Sequence, residues 1–415
     1  MSILNYIKEY NACDFSDYRN KGGLDESSRK IIDIIKSSNL KERDKSLFPT
    51  GLKLDFFSKV SDPGKMVLVL ADNVEPGCFR DTYLLQNAIF AVFEAVLAVL
   101  EATSAKVAVF LFNPWQKEVA ESVRSSLNIL LSDSDFNQKM KLSDIDFEFI
   151  FSGGLCNFGD PVLAVDQISG RQAVARKGYS ANYISPSDRS LLGKPVLVMN
   201  LDTLIQIPLI LRKGPEWYRS QGDPENPGTK ILSVSGAVKS PGIYEFYYGT
   251  NIEEIIAKCS GEIDFEKISG VIPAGYGSGI FPIKHCSSLT SKIFEGSGAL
   301  YFYSEKNCPV AIASKILNFL SGESCGFCIP CREGTRYLVD FFSNCNKKPV
   351  YDVQYKSYSY SIKHISEIAS LLKMTSRCDT GRRIALLVNS LIEYFPTEME
   401  KHFLRQECSV KQCWK

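Results

Sequence analysis

The chain has 415 residues, 45% hydrophobic and 23% charged, with a formal net charge of +1. That balance is ordinary for a soluble globular protein of two or three domains with sizeable cores, and it excludes a nucleic-acid platform, which would carry a basic excess. The N-terminus lacks the pattern of a signal peptide and is too acidic for a transit peptide. The longest apolar stretch, 88–102, is interrupted by Glu94 and Glu101 and is too short to span a bilayer, so no membrane insertion is expected.

The first half alternates strand-like and helix-like runs. Met66–Leu70 reads as a buried parallel strand, followed by a helical stretch Leu85–Glu101 and a strand Lys106–Phe112. A helix over Trp115–Leu131, a strand over Phe147–Phe151 and a further strand and helix over Leu191–Ile210 continue the pattern. The β-α-β-α-β order predicts a parallel α/β sheet in a first domain, 1–213. Residues 214–229 are rich in Gly, Pro and polar residues and read as a linker. A strand-turn-strand pattern follows from Lys230, and Asn251 can cap a helix running to Cys259. The region 230–305 reads as a small β-grasp domain, best taken as a docking module. Within it, Ala274–Gly279 (AGYGSG) lacks the strand–helix context of a nucleotide loop and reads as a turn. From Pro309 the pattern is helical, with runs at 311–320, 334–343, 361–374 and 382–400. This predicts a helical bundle over 306–408 and a tail over 409–415. The tyrosine-rich insertion Tyr351–Tyr360 reads as an exposed loop or hairpin.

Thirteen cysteines in a chain without a secretion signal do not suggest a disulfide framework. Cys325, Cys328 and Cys331 lie at two-residue gaps, and Cys378 follows 47 positions later in TSRCDTG. Three thiolates on one loop can bind three irons of a cubane, and a distant fourth closes it. Gly326 and Pro330 let the loop wrap. A structural zinc site usually pairs two CxxC knuckles, and here the second is a lone cysteine. The spacing therefore points to one [4Fe–4S] cluster on Cys325, Cys328, Cys331 and Cys378. Cys408 and Cys413 lie in the polar C-terminal segment; one reading is part of a second metal site, but the spacing offers no partner pair and they are expected as free thiols. Cys13, Cys78, Cys156, Cys259, Cys286, Cys308 and Cys345 are expected as scattered, mostly buried small residues. His285, His364 and His402 stand apart, with no hydrolase spacing.

These residues carry a family resemblance. Glu323–Thr335, ESCGFCIPCREGT, and the Cys378–Gly381 pairing resemble the flavoprotein subunit of complex I (NADH:quinone oxidoreductase) and the diaphorase subunits of NAD-linked hydrogenases and formate dehydrogenases. The resemblance runs from about Leu40 to His402. It implies a Rossmann-like FMN domain, a β-grasp domain of the soluble-ligand-binding type and a helical cluster domain. It also implies hydride transfer from NADH to FMN, with electrons passing to the cluster. Implied partners are a thioredoxin-fold [2Fe–2S] subunit and a large multi-cluster subunit, in the cytoplasm or matrix, peripheral to a membrane.

The front end departs from the family. Where the family reads GRGGAGFPTG, this chain reads ERDKSLFPTG from Glu42 to Gly51. The glycines that let a backbone approach a phosphate are gone, and Glu42 and Asp44 introduce like charge. Lys53, Asp72, Glu75, Asn200 and Thr203 remain as matches to the FMN site. Phe48 and Phe56 could also line a flavin-shaped cleft. In the NADH segment the family's paired glutamates become Asp160 and Pro161, and its tyrosine becomes Cys156. Weakened or lost FMN and NADH binding is expected. Three readings stand: an iron–sulfur electron-transfer subunit, an active NADH:FMN oxidoreductase with a divergent pocket, and a non-redox scaffold stapled by the cluster.

Overall fold

The computed structural model describes residues 2–24, 30–44, 46–72, 75–154, 161–170, 190–191, 193–260, 267–289, 293–344 and 358–413. Helix α1 (Thr50–Ser58) precedes β1 (Met66–Leu70). Helices α2 (Arg80–Asn87) and α3 (Ile89–Thr103) lead to β2 (Val107–Phe112), and α4 (Lys117–Ser132) leads to β3 (Asp146–Phe151). The short β4 (Ser190–Leu191) and β5 (Lys194–Asn200) complete a five-stranded sheet of order β3-β2-β1-β5-β4. All its pairings are parallel except β4 against β5. β1 is buried at all five positions, as the continuous Met-Val-Leu-Val-Leu run requires of a central strand covered on both faces.

The expected single helix over 85–101 is two helices meeting at 96°. Ala88 leaves helical geometry (φ −142°, ψ 26°), and the Phe90 N–H donates to the carbonyl of Ala12 at 3.0 Å. The apolar pattern continues through the bend because α3 is buried nearly all round. No single helix among the described residues is long and apolar enough to cross a membrane.

A second, mixed sheet follows. β6 (Thr229–Gly236) and β7 (Gly242–Tyr247) form a hairpin. Helix α5 (Ile252–Ser260) is capped by Asn251, whose Oδ1 accepts from the Glu254 N–H at 2.8 Å. β8 (Ile268–Ile272), β9 (Phe281–Pro282) and β10 (Ala299–Ser304) complete the order β7-β6-β10-β8-β9. A core of its own, including Leu232, Ile255, Val271 and Phe302, lies between this sheet and α5.

Helices α6 (Pro309–Gly322), α7 (Ile329–Asn344), α8 (Tyr358–Thr375) and α9 (Asp379–Tyr394) share a third core, which includes Cys331. α9 ends earlier than the pattern suggests, because Pro396 cannot continue it and starts a separate turn. Residues 351–357 of the tyrosine-rich insertion lie outside the described residues, and 358–360 open α8.

Ala274–Gly279 is a turn, as expected. Gly275 and Gly277 take positive φ, and a Cβ there would meet Glu75 at 2.3 Å and Arg383 at 2.5 Å. The turn is thus wedged between the loop after β1 and helix α9.

Candidate functional site

Cys325 and Cys328 lie in the turn between α6 and α7, Cys331 lies in the first turn of α7, and Cys378 is the N-cap of α9. The four side chains line one pocket with Ser324, Phe327, Ser376 and Thr380. Both α7 and α9 begin here, so the positive ends of two helix dipoles flank the sulfurs. The close approach of the two segments depends on Gly381. A Cβ there would lie 1.9 Å from Ser376 Oγ and 3.6 Å from Cys331 Sγ.

Burial pushes the Cys331 and Cys378 thiols up, while hydroxyl contacts from Ser324 and Thr335 to Cys331, and from Thr380 to Cys378, pull them back. Ser324 Oγ is 3.6 Å from Cys331 Sγ. The buried Ser376 hydroxyl has no hydrogen-bond partner among the described residues. Four soft donors around one pocket, edged by hydroxyls able to donate to sulfur, suit an iron–sulfur cluster. At the mouth, Arg377 stacks over the Phe327 ring at 4.6 Å. The flanking hydroxyls of Ser324, Ser376 and Thr380 were not singled out from sequence, although they adjoin the cysteines in the chain.

The flavin-type loop is built differently. Glu42 and Lys53 form a buried ion pair at 3.0 Å, and Thr50 Oγ1 donates to Glu42 at 3.1 Å. Burial holds the Glu42 carboxyl above its usual range, and the Lys53 ammonium offsets this only in part. Asp44 accepts from the Ser46 N–H at 2.7 Å and from Asn200 Nδ2 at 3.1 Å. The Thr203 hydroxyl accepts from the Arg43 N–H at 2.9 Å. Leu47 stands at φ +48°, a left-handed conformation at a position where the family motif has glycine. Lys45 lies outside the described residues.

This loop is also tied to the second sheet. The Arg43 guanidinium is buried, donates to the Tyr218 hydroxyl and to the Pro227 carbonyl (2.6 Å), and sits over the Tyr248 ring at 4.5 Å. Lys230 donates to the carbonyls of Arg43, Phe294 and Gly296 at 2.8–2.9 Å, and burial pushes its ammonium down to about 8. Arg80 holds Asp81 at 2.8 Å and Asp202 at 3.0 Å. Glu75 pairs with Arg383 of α9 at 3.3 Å, and Asp72 is buried.

Among the residual FMN-site matches, Lys53 pairs with Glu42, Glu75 with Arg383, Asn200 with Asp44 and Thr203 with the Arg43 N–H. Lys53, Arg80 and Lys230 have acceptors, and Arg43 has them at Nη2, while its buried Nε and Nη1 have no hydrogen-bond partner among the described residues. A phosphate cradle needs cations or amides that face a ligand; this loop instead carries carboxylates and closes on itself. Of the NADH-type segment, Gly153 and Gly154 follow β3, but Cys156 and Asp160 lie outside the described residues, as does the side chain of Pro161.

One expectation needs correction. Cys408 and Cys413 are free of disulfides, yet they do not lie apart. With Cys308 and His402 they form a single group, the ligand atoms all within 4.8 Å of one another. The sequence hid this because Cys308 and His402 are 94 positions apart and no CxxC knuckle marks the group.

Comparison with known proteins agrees with the two-part character of the chain. Residues 35–209 match the family model of the Nuo51 FMN-binding domain, and residues 311–402 match that of the NADH-ubiquinone oxidoreductase-F iron–sulfur binding region. An NADH-quinone oxidoreductase subunit of Rhizobium meliloti is 24% identical over 91% of this chain and 90% of its own length. The mitochondrial NADH dehydrogenase [ubiquinone] flavoprotein 1 of Dictyostelium discoideum is 26% identical over 95% of this chain and 83% of its own. In fold, the chain is similar to a subunit of an NAD+-reducing [NiFe]-hydrogenase in the H2-reduced state, with a TM-score of 0.76 at 22% identity. That match covers 90% of this chain and 62% of the hydrogenase chain. The chain thus carries an FMN-type region followed by an iron–sulfur region, and along most of its length it is similar to complex I flavoprotein-type subunits.

Proposed function

We propose that this chain is an electron-transfer subunit of a complex I-like or NAD-linked hydrogenase-like assembly, holding one [4Fe–4S] cluster on Cys325, Cys328, Cys331 and Cys378, and that its flavin-type region no longer binds FMN or NADH. The observation that carries the cluster assignment is the single pocket lined by all four thiols. A cluster held there supplies one-electron transfer. The protein's own part is to present four thiols from two helix starts. It holds them among hydroxyls that stabilise charge on sulfur, and it keeps Cys331 buried against the bundle core.

The loss of flavin is supported by the Glu42–Lys53 pair, the Asp44–Asn200 contact and the engagement of Thr203. On this reading the polar network replaces the phosphate as the partner of the retained side chains. The mixed sheet then acts as a β-grasp spacer that fixes the flavin-type loop through Lys230 and Arg43. Partners are a thioredoxin-fold [2Fe–2S] subunit and a larger multi-cluster subunit, in the cytoplasm or matrix, peripheral to a membrane. The match of residues 35–209 to an FMN-binding domain favours a second reading, an active NADH:FMN oxidoreductase with a divergent pocket.

Iron, acid-labile sulfide and FMN content of anaerobically purified protein separates the two. About four irons and four sulfides per chain without flavin are expected. One FMN per chain, with the same iron, would discard the flavin-free reading in favour of the oxidoreductase.

A further inference from the structure

A second group of soft ligands lies in the helical region, apart from the four cysteines assigned above. Cys308 is the N-cap of α6 and is 1% exposed. His402 lies on a single helical turn after Pro396–Glu400 and is also 1% exposed. Cys408 and Cys413 come from the segment that follows. Two residues in left-handed conformation, Gln406 (φ +54°) and Lys411 (φ +52°), fold that segment back onto α6. The Gln412 side chain fixes the return, its Oε1 accepting from the Cys308 N–H at 2.7 Å.

The spacing is that of ligands around one small ion. His402 Nε2 is 3.3 Å from Cys308 Sγ and 3.3 Å from Cys413 Sγ, and the two sulfurs are 3.6 Å apart. Four donors at zinc–sulfur and zinc–nitrogen bond lengths stand about 3.5–3.8 Å from each other at tetrahedral angles. A disulfide would bring sulfurs to about 2.05 Å, so the 3.6 Å contact is not one. Thiols are weak hydrogen-bond donors and acceptors, so three thiols and an imidazole converging on one point gain little from one another without a cation.

The histidine is oriented for ligation. Its Nδ1 lies 2.7 Å from the Glu398 carbonyl oxygen, to which it donates, which leaves the Nε2 lone pair directed at the sulfurs. A backbone carbonyl holding the far nitrogen is the usual support of a metal-bound imidazole. Cys308 sits at a helix N-terminus, where the dipole favours a thiolate.

The family's iron–sulfur region does not account for this group. Its match ends at residue 402, so Cys308, Cys408 and Cys413 all lie outside it. We propose that Cys308, His402, Cys408 and Cys413 form a structural zinc site of Cys3His type. It clips the segment after residue 402 to the first helix of the cluster-bearing region. Three thiolates and a neutral imidazole select a thiophilic, tetrahedral, redox-inert ion over calcium or magnesium. Binding displaces the thiol protons to solvent. The proposal does not rest on the flavin or cluster readings.

The test is metal analysis of the full-length protein together with X-ray absorption at the zinc edge. About one zinc per chain is expected beside the iron, with three sulfur and one nitrogen scatterers. A Cys408→Ser/Cys413→Ser variant should fall to under about a tenth of a zinc per chain with its iron content unchanged. Adding cobalt(II) to metal-depleted wild type should give thiolate charge-transfer absorption that this variant lacks. Zinc bound by four sulfurs would mean misloading at the iron cysteines and would overturn the proposal. So would no zinc together with no cobalt absorption, or a Cys308–Cys413 disulfide in the purified protein. The scattering and cobalt readings on wild type stand even where the variant does not fold.

Discussion

The cluster pocket and the flavin-type loop occupy comparable places, each where two parts of the chain meet, yet they are satisfied in opposite ways. Around the pocket, thiols and the Ser376 hydroxyl converge without enough protein partners to settle them. In and around the loop, the carboxylates find protein partners: Glu42 pairs with Lys53, Asp44 accepts from the Asn200 amide, and Asp81 and Asp202 pair with Arg80. On the flavin-free reading proposed above, the contrast illustrates how a binding region changes its role while its fold is kept. A buried charge must have a partner, and when a phosphate is no longer that partner, neighbouring side chains can take its place.

The largest effect should come from the pocket. Cys328→Ser should lose most of the iron and lower the unfolding temperature of the helical region, while the parallel sheet, with its separate core, keeps its own transition. Iron content equal to wild type would remove Cys328 from the ligand set. A smaller effect should come from the contact that joins the two regions. Arg383→Met leaves Glu75 buried without its cation and should cost about 3–5 kcal/mol in chemical unfolding. A loss below about 1 kcal/mol would show that Glu75 is protonated or finds water there, as exposed pairs behave. The smallest concerns Leu47. Leu47→Gly relieves left-handed strain of about 1–2 kcal/mol but gives up side-chain packing and backbone restriction. A net change within about 1 kcal/mol is expected. A gain of FMN binding in that variant would show that the loop still cradles phosphate and would dissolve the contrast between the two regions.

The legible parts of the molecule are those written locally. Cys325, Cys328 and Cys331 fall on one turn and the start of α7 because their spacing leaves little alternative, and β1, β2 and β3 follow from short apolar runs. Asn251 announces its helix by capping it. The bend at Ala88 was not legible, because it is set by a distant carbonyl at Ala12 while the hydrophobic pattern runs on undisturbed. The like charges of Glu42 and Asp44 could be read as a problem for phosphate, but their partners Lys53 and Asn200 are brought in by the fold. The Cys308 group was invisible for the same reason, since its members meet only when the C-terminal segment folds back.

Helix α9 begins beside Cys378, and five residues later it carries Arg383 into the turn at Gly275–Gly277. That distance along the axis is about 7.5 Å of rigid helix, so the helix acts as a lever with one arm at each site. The same rigid element thus carries both the Cys378 position and the guanidinium that pairs with Glu75. If the four cysteines hold the proposed cluster, maturation should be coupled: a chain delayed in acquiring iron should also be slow to close the joint between its sheet and its helices.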